Sequence, residues 1–196
     1  MNEEVNIHVN TEIAQYRIVR QIGQGAMGLV FEAYQRGLDR NVALKILPAY
    51  YVNDKTFLKR FQNEAAAAAR LHHPHIATIY DYGESPKGPY IAMEYIAGET
   101  LEEYLTRKKP LPTHEALIIV ESLADALAYA HSQGVIHRDI KSANIMMGEK
   151  NRPVIMDFGL AKVDNATLLT LDGTILGTPA YMAPEQTAGK SVDCRA

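Results

Sequence analysis

The chain has 196 residues, 47% hydrophobic and 22% charged, which suits one large domain or two small lobes of ordinary globular composition. A net charge of −3, with lysine and arginine spread along the chain, leaves no basic footprint for nucleic acid. A single cysteine excludes an internal disulfide framework, and no apolar run approaches the length of a membrane span.

Residues 1–15 open with the acidic, polar run MNEEVNIHVNTE and read as a polar leader, not a signal peptide. From Tyr16 to Leu47 the chain reads as strands: YRIVRQIG, GLVFEAYQ and NVALKIL, separated by turn signals at Gly25–Gly28 and Gly37–Asn41. From Asp54 to Leu71 the pattern is helical, with Phe57, Phe61, Glu64, Ala65 and Ala68 at helical spacing and Pro74 closing the segment. Strands return in HIATIYDYG and PYIAMEYI, joined by GESPKG. After Gly98 the chain is mainly helical. HEALIIVESLADALAYAHSQG is an amphipathic helix with Leu117, Val120, Leu123, Ala124 and Leu127 on its apolar stripe and Gly134 as its stop. A β-rich half before a helical half predicts two lobes, with the boundary near Tyr95 to Gly98.

RQIGQGAMGLVFEAY carries G-x-G-x-x-G at Gly23, Gly25 and Gly28. A dinucleotide-binding turn would be followed by a helix that receives the pyrophosphate. Here Leu29 to Tyr34 read as a second strand, so the glycines lie at a hairpin tip, a geometry suited to a flap over phosphates. AGKS at Ala188–Ser191 is no Walker A loop, because Pro184 stands where that loop needs its first glycine. Lys45, in VALK, is a lysine on an apolar strand and needs a partner if buried; the alternative is an edge lysine. Glu64, on the inward face of the next helix, is the partner that would explain it.

VIHRDIKSANIMM holds the densest chemistry. Asp139 can accept or orient a hydroxyl proton, Lys141 can contact a transferred phosphoryl group, and Asn144 can ligate a metal. VIMDFG then places Asp157 at the end of an apolar strand, and with Asn144 it offers oxygen ligands suited to magnesium.

The ordered set resembles the protein kinase family from about Tyr16 to Arg195: G-Q-G-A-M-G-L-V, V-A-L-K, a glutamate on the following helix, H-R-D-I-K-S-A-N, D-F-G and A-P-E. The lysine after the catalytic aspartate and GTPAYMAPEQ resemble the serine/threonine branch. RLHHPHIATIYDYG, PYIAMEYIAGETL and YMAPEQ resemble the bacterial kinases of eukaryotic type.

The resemblance implies an α+β, bilobal protein-kinase fold, with residues 16–95 as a β-rich N-lobe and 96–196 as a partial helical C-lobe. It implies transfer of the ATP γ-phosphoryl group to Ser/Thr hydroxyls of protein substrates, with ATP and Mg2+ bound. Ile22, Gly23, Gly25, Gly28 and Val30 would cover the nucleotide, Ala43 would line the adenine site, and Lys45 would hold phosphates and pair with Glu64. Met93 would be the gatekeeper, with backbone groups of Glu94 and Ile96 on the adenine edge and Glu99 or Thr100 near the ribose. Asp139 would be the catalytic base, Lys141 a phosphate contact, and Asn144 and Asp157 the metal ligands. Arg138 would receive a phosphate from the activation segment, for which Thr170 and Thr174 are better placed than Thr167 or Thr178. The expected location is cytoplasmic, alone or as part of a longer membrane-anchored kinase, with a dimer as the means of autophosphorylating the segment.

The family pattern continues through further helices after A-P-E, so the later C-lobe helices are expected to be missing. Glu185 then lacks its arginine partner, the Leu117–Leu127 face is bare, and transfer by this chain alone is expected to be weak or absent. The alternative is an ATP-binding pseudokinase or inactive fragment serving as an interaction module; the presence of Lys45, Asp139 and Asp157 weighs against it.

Overall fold

The computed structural model describes residues 7–25, 28–48, 51, 54–158, 181–188 and 192–195. They fall into two compact units, one of Met1–Ala69 with Thr78–Tyr95, the other of Arg70–Ala77 with Ile96–Ala196.

In the first unit the strand patterns form one antiparallel sheet. Its strands are β1 (Glu12–Ile13), β2 (Tyr16–Gly25), β3 (Gly28–Gln35), β4 (Arg40–Ile46), β5 (Ile79–Ser85) and β6 (Gly88–Glu94), in the order β1-β2-β3-β4-β6-β5. Alternation sorts the side chains. Ile18, Phe31, Ala33, Val42, Leu44, Ile46, Tyr90 and Ala92 pack into one cluster with Ile13 and Tyr16. Asp81 on β5 closes this cluster at its rim, accepting bonds from Gln15 Nε2 (3.2 Å), Tyr16 Oη (3.0 Å) and Tyr90 Oη (3.4 Å). Burial, with that carboxylate beside it, pushes the Tyr16 phenol well above its ordinary pKa.

Helix α1 (Lys55–Ala68) starts where Asp54 caps it, its carboxylate accepting from the N–H groups of Thr56 and Phe57, both at 2.9 Å. Phe57, Phe61, Ala65 and Ala68 are its buried face, as the spacing predicts. The helix ends before Leu71, because Arg70–Ala77 packs in the second unit. There Ala77 donates to the Ile155 carbonyl and Ile155 to the His75 carbonyl, both at 2.9 Å.

The second unit contains β7 (Glu99–Thr100), α2 (Leu101–Arg107), α3 (Thr113–Ser132), β8 (Ile145–Met147), β9 (Pro153–Ile155) and α4 (Pro184–Thr187). Thr100 and Glu103 form a capping box at the start of α2. Strands β7, β8 and β9 form a small sheet, and β8 packs with α2 and α3 through Leu101, Tyr104, Ile119, Ile145 and Met147. Helix α3 stops at Gly134, whose φ of 75° suits a glycine C-cap. Of the stripe expected on α3, Leu123 packs against the Leu101–Met147 cluster, while its Leu117 end is bare, as expected. Ile119, Ala126 and Ala130 are buried, whereas Leu117 and Val120 are 63% and 62% exposed. The helix is apolar around much of its circumference, so periodicity alone does not choose the side that packs.

Candidate active site

Pairing register builds the first part of the site. Gly25 pairs with Gly28 across the tip of the β2–β3 hairpin, so these glycines do turn one strand into another. Gly28 has a φ of 125°, and a Cβ there would meet the Ile46 carbonyl oxygen at 2.1 Å. Gly23 differs: a Cβ there would make only ordinary contact, 3.6 Å from Val30 Cβ. Among the described residues nothing occupies the space of a Gly23 side chain, so packing does not account for a glycine there.

Gly23 pairs with Val30, Val30 with Lys45, Lys45 with Ile91, and Ala43 with Met93. Paired residues in antiparallel strands share a face, so Gly23, Val30, Ala43, Lys45 and Met93 line the face opposite the Phe31–Leu44–Ala92 cluster. Ile22 sits at the β2 irregularity between Gln21 and Gly23 and is 37% exposed. Lys45 is buried, and the Oε2 atom of Glu64 is shielded from solvent. Neither side chain lacks a partner. At the end of β6 the Glu94 N–H donates to the Thr78 carbonyl (2.8 Å), so an adenine edge would have to use the Glu94 carbonyl.

The second unit carries the candidate acid–base and metal-ligating groups. Ile96 is buried there with Ala77 and Val154. Lys141 Nζ lies 2.9 Å from Asp139 Oδ2. Asn144 Nδ2 donates to Asp139 Oδ2 and to the Asp139 carbonyl, both at 2.8 Å. Both partners are acceptors, so the amide nitrogen must face them and the amide oxygen Oδ1 turns away, free to meet a cation. The Met156 N–H donates to the Asn144 carbonyl (2.9 Å), which sets Asp157 one residue beyond this contact. Arg138 and Asp157 have φ of 69° and 60°, left-handed values that non-glycine residues adopt at a cost and that cluster at functional sites.

Magnesium commonly keeps several waters and takes one or two protein oxygens beside substrate phosphates. Asn144 Oδ1 and the Asp157 carboxylate fit that donor set. Among the described residues no group of three His, Cys, Asp or Glu side chains makes a self-contained metal site.

Two contributors escape the motif reading as site residues. His137 is buried, with Nε2 donating to the Met156 carbonyl (2.7 Å), Nδ1 accepting from the Asp139 N–H (3.2 Å), and its ring edge-on to Phe158 at 4.7 Å. These partners require the neutral Nε2–H form, and burial holds its pKa below the ordinary histidine value. Its position before Arg138 and Asp139 in an apolar stretch is a signal that could have found it. Gln186 bridges two segments: its Oε1 accepts from the Ala183 N–H (2.9 Å) and its Nε2 donates to the Arg138 carbonyl (2.7 Å). That role has no sequence signal, because it depends on a contact across 48 positions. Gly159, Thr167, Thr170, Thr174 and Thr178 lie outside the described residues.

A protein kinase domain model matches residues 16–195. The chain belongs to the protein kinase family. It is 44% identical to the serine/threonine-protein kinase PrkC of Bacillus subtilis, over 89% of this chain and 27% of that protein. It is 43% identical to the serine/threonine-protein kinase pkn3 of Myxococcus xanthus, over 92% of this chain and 35% of that protein. A crystal structure of the Mycobacterium tuberculosis PknI kinase domain superposes with a TM-score of 0.79 at 36% identity, covering 97% of this chain and 72% of that one. The fold is therefore that of the protein kinases, and the kinase relatives are bacterial and of the serine/threonine branch. The chain spans well under half the length of these full-length relatives.

Proposed function

We propose that this chain is the nucleotide-binding and catalytic part of a serine/threonine protein kinase, with residues 16–95 as N-lobe and 96–196 as part of the C-lobe. The observation that carries the reading is the Asp139 carboxylate held between the Lys141 ammonium and the Asn144 amide. In the reaction a substrate hydroxyl oxygen bonds to the γ-phosphorus, the bond to the ADP oxygen breaks, and the hydroxyl proton passes to Asp139. Lys141 neutralises charge on the transferred group, and Lys45 binds phosphate oxygens of ATP. Asn144 and Asp157 would hold magnesium, which supplies charge neutralisation along the phosphates.

Gly23, Gly25 and Gly28 cover the phosphates; Ile22, Val30, Ala43 and Met93 enclose the base; Glu94 and Ile96 meet its edge through backbone groups. Glu64 holds Lys45. Phosphorylation at Thr170 or Thr174, by a second copy of the chain, is read by Arg138. We assign the reaction to the cytoplasm. Transfer by residues 1–196 alone is weak, a reading supported by the exposed apolar face of α3.

The test has two parts. Mg-ATP raises the melting temperature of the chain, since a ligand that binds only the folded state must stabilise it. Asp139→Asn keeps that shift while abolishing label transfer from [γ-32P]ATP to a protein acceptor. A chain that shifts with Mg-ATP but shows no Asp139-dependent transfer in the full-length protein is a binding module instead. Robust transfer by the 196-residue chain alone overturns the weak-activity reading.

A further inference from the structure

A buried carboxylate on the nucleotide-facing side of the sheet has no part in the chemistry above. Glu32 pairs with Ala43 across β3 and β4 and so shares the face of Val30, Ala43 and Met93. It is buried, and a carboxylate in that position is costly without partners. It has two. Arg20 Nε lies 2.8 Å from Glu32 Oε2, and Asn41 Nδ2 donates to Glu32 Oε1 at 3.0 Å. The guanidinium does not end there: its NH2 group donates to the phenol oxygen of Tyr95 at 3.0 Å. Arg20 is itself more than half exposed, so its fork is held by Glu32 and Tyr95 rather than by packing.

Tyr95 stands between Glu94 and Ile96, the two residues whose backbone groups meet the purine in the reading above. We infer that Arg20 and Glu32 are positioning residues for the purine edge of the nucleotide, acting through the Tyr95 phenol; this rests on the kinase reading. Glu32 aims the guanidinium, the guanidinium fixes the Tyr95 side chain, and the fixed side chain limits how far the backbone on either side can drift. The pre-ordering lowers what a purine must immobilise on binding. The triphosphate, held by other residues, gains nothing from it.

That asymmetry is the test. Dissociation constants for Mg-ATP and for Mg-tripolyphosphate, which has no purine, are measured by titration on the 196-residue chain. The variants are Arg20→Met, Tyr95→Phe, the double variant and Lys45→Met. Arg20→Met and Tyr95→Phe each weaken Mg-ATP by about 3- to 10-fold. The double variant is no weaker than the worse single one, because both remove the same bond. Mg-tripolyphosphate binding stays at the wild-type value in all three. Equal weakening of both ligands shows a merely structural role and overturns the inference, as do unchanged Mg-ATP binding or additive losses. If the wild-type chain binds Mg-ATP and Lys45→Met weakens it while the Arg20 and Tyr95 variants do not, the inference alone falls. If the wild-type chain does not bind Mg-ATP, the kinase reading and the inference fall together.

Discussion

Gly23 and Gly28 belong to one motif but answer to different constraints. Gly28 is required by the fold: its φ is 125° and the Ile46 carbonyl occupies the space of a side chain. Gly28→Ala should therefore cost at least about 2 kcal/mol in a urea unfolding experiment. Gly23 meets no such obstacle. Gly23→Ala should change stability by no more than about 1 kcal/mol while weakening Mg-ATP binding severalfold in a titration. Undiminished affinity in the Gly23 variant would remove that glycine from the phosphate flap. Both glycines were legible as a hairpin tip, because the residues after Gly28 read as a strand. That the fold requires a glycine at Gly28 and not at Gly23 was not legible, since it depends on the approach of Ile46 from β4.

At the level of elements, the strands were easier to read than the long helix. Successive residues of a strand point to opposite faces, so once β3 and β4 are read as strands Ala43 and Lys45 fall opposite Val42 and Leu44. Helix α3 offers two apolar sides, and small Ala126 and Ala130, not the larger Leu117 and Val120, face the interior. Alanine permits close packing but carries a weak hydrophobic signal. Leu117→Gln and Val120→Gln should each shift the denaturation free energy of the chain by no more than about 0.5 kcal/mol. Ala126→Leu should cost about 1–3 kcal/mol by overpacking. A larger loss from the glutamine variants would mean that the bare face is packed in solution. Arg70–Ala77 is a similar case: it follows α1 in the chain but pairs with β9, and nothing within the segment announces a partner near Ile155.

For the molecule as a whole, the buried His137 ring links stability to acidity. Its pKa is depressed in the folded state, so below the unfolded value of about 6.5 the unfolded chain takes up a proton that the folded chain does not. Its contribution is complete above that pH and is lost as pH falls toward the depressed value. Urea midpoints at about pH 7.5 and about pH 5.5 should show this loss. His137→Phe should be less stable at the higher pH, where the Met156 carbonyl loses its donor, yet have a shallower decline with acid. An unchanged decline would assign the acid sensitivity to other groups. Asp139, Lys141, Asn144 and Asp157 were legible as candidates because they cluster in short motifs; the partners that His137 and Gln186 hold, the Met156 and Arg138 carbonyls, lie 19 and 48 positions away and were not. Distance along the chain has a further consequence at Asp81. The hydroxyl of Tyr16, near the start of β2, finds its acceptor 65 positions later. A chain emerging from the ribosome can form the β2–β3 hairpin early, but the rim of that cluster stays open until β5 and β6 have been synthesised. Closing so long a loop carries an entropic cost that only the completed sheet offsets, so the first strands made are among the last to be sealed.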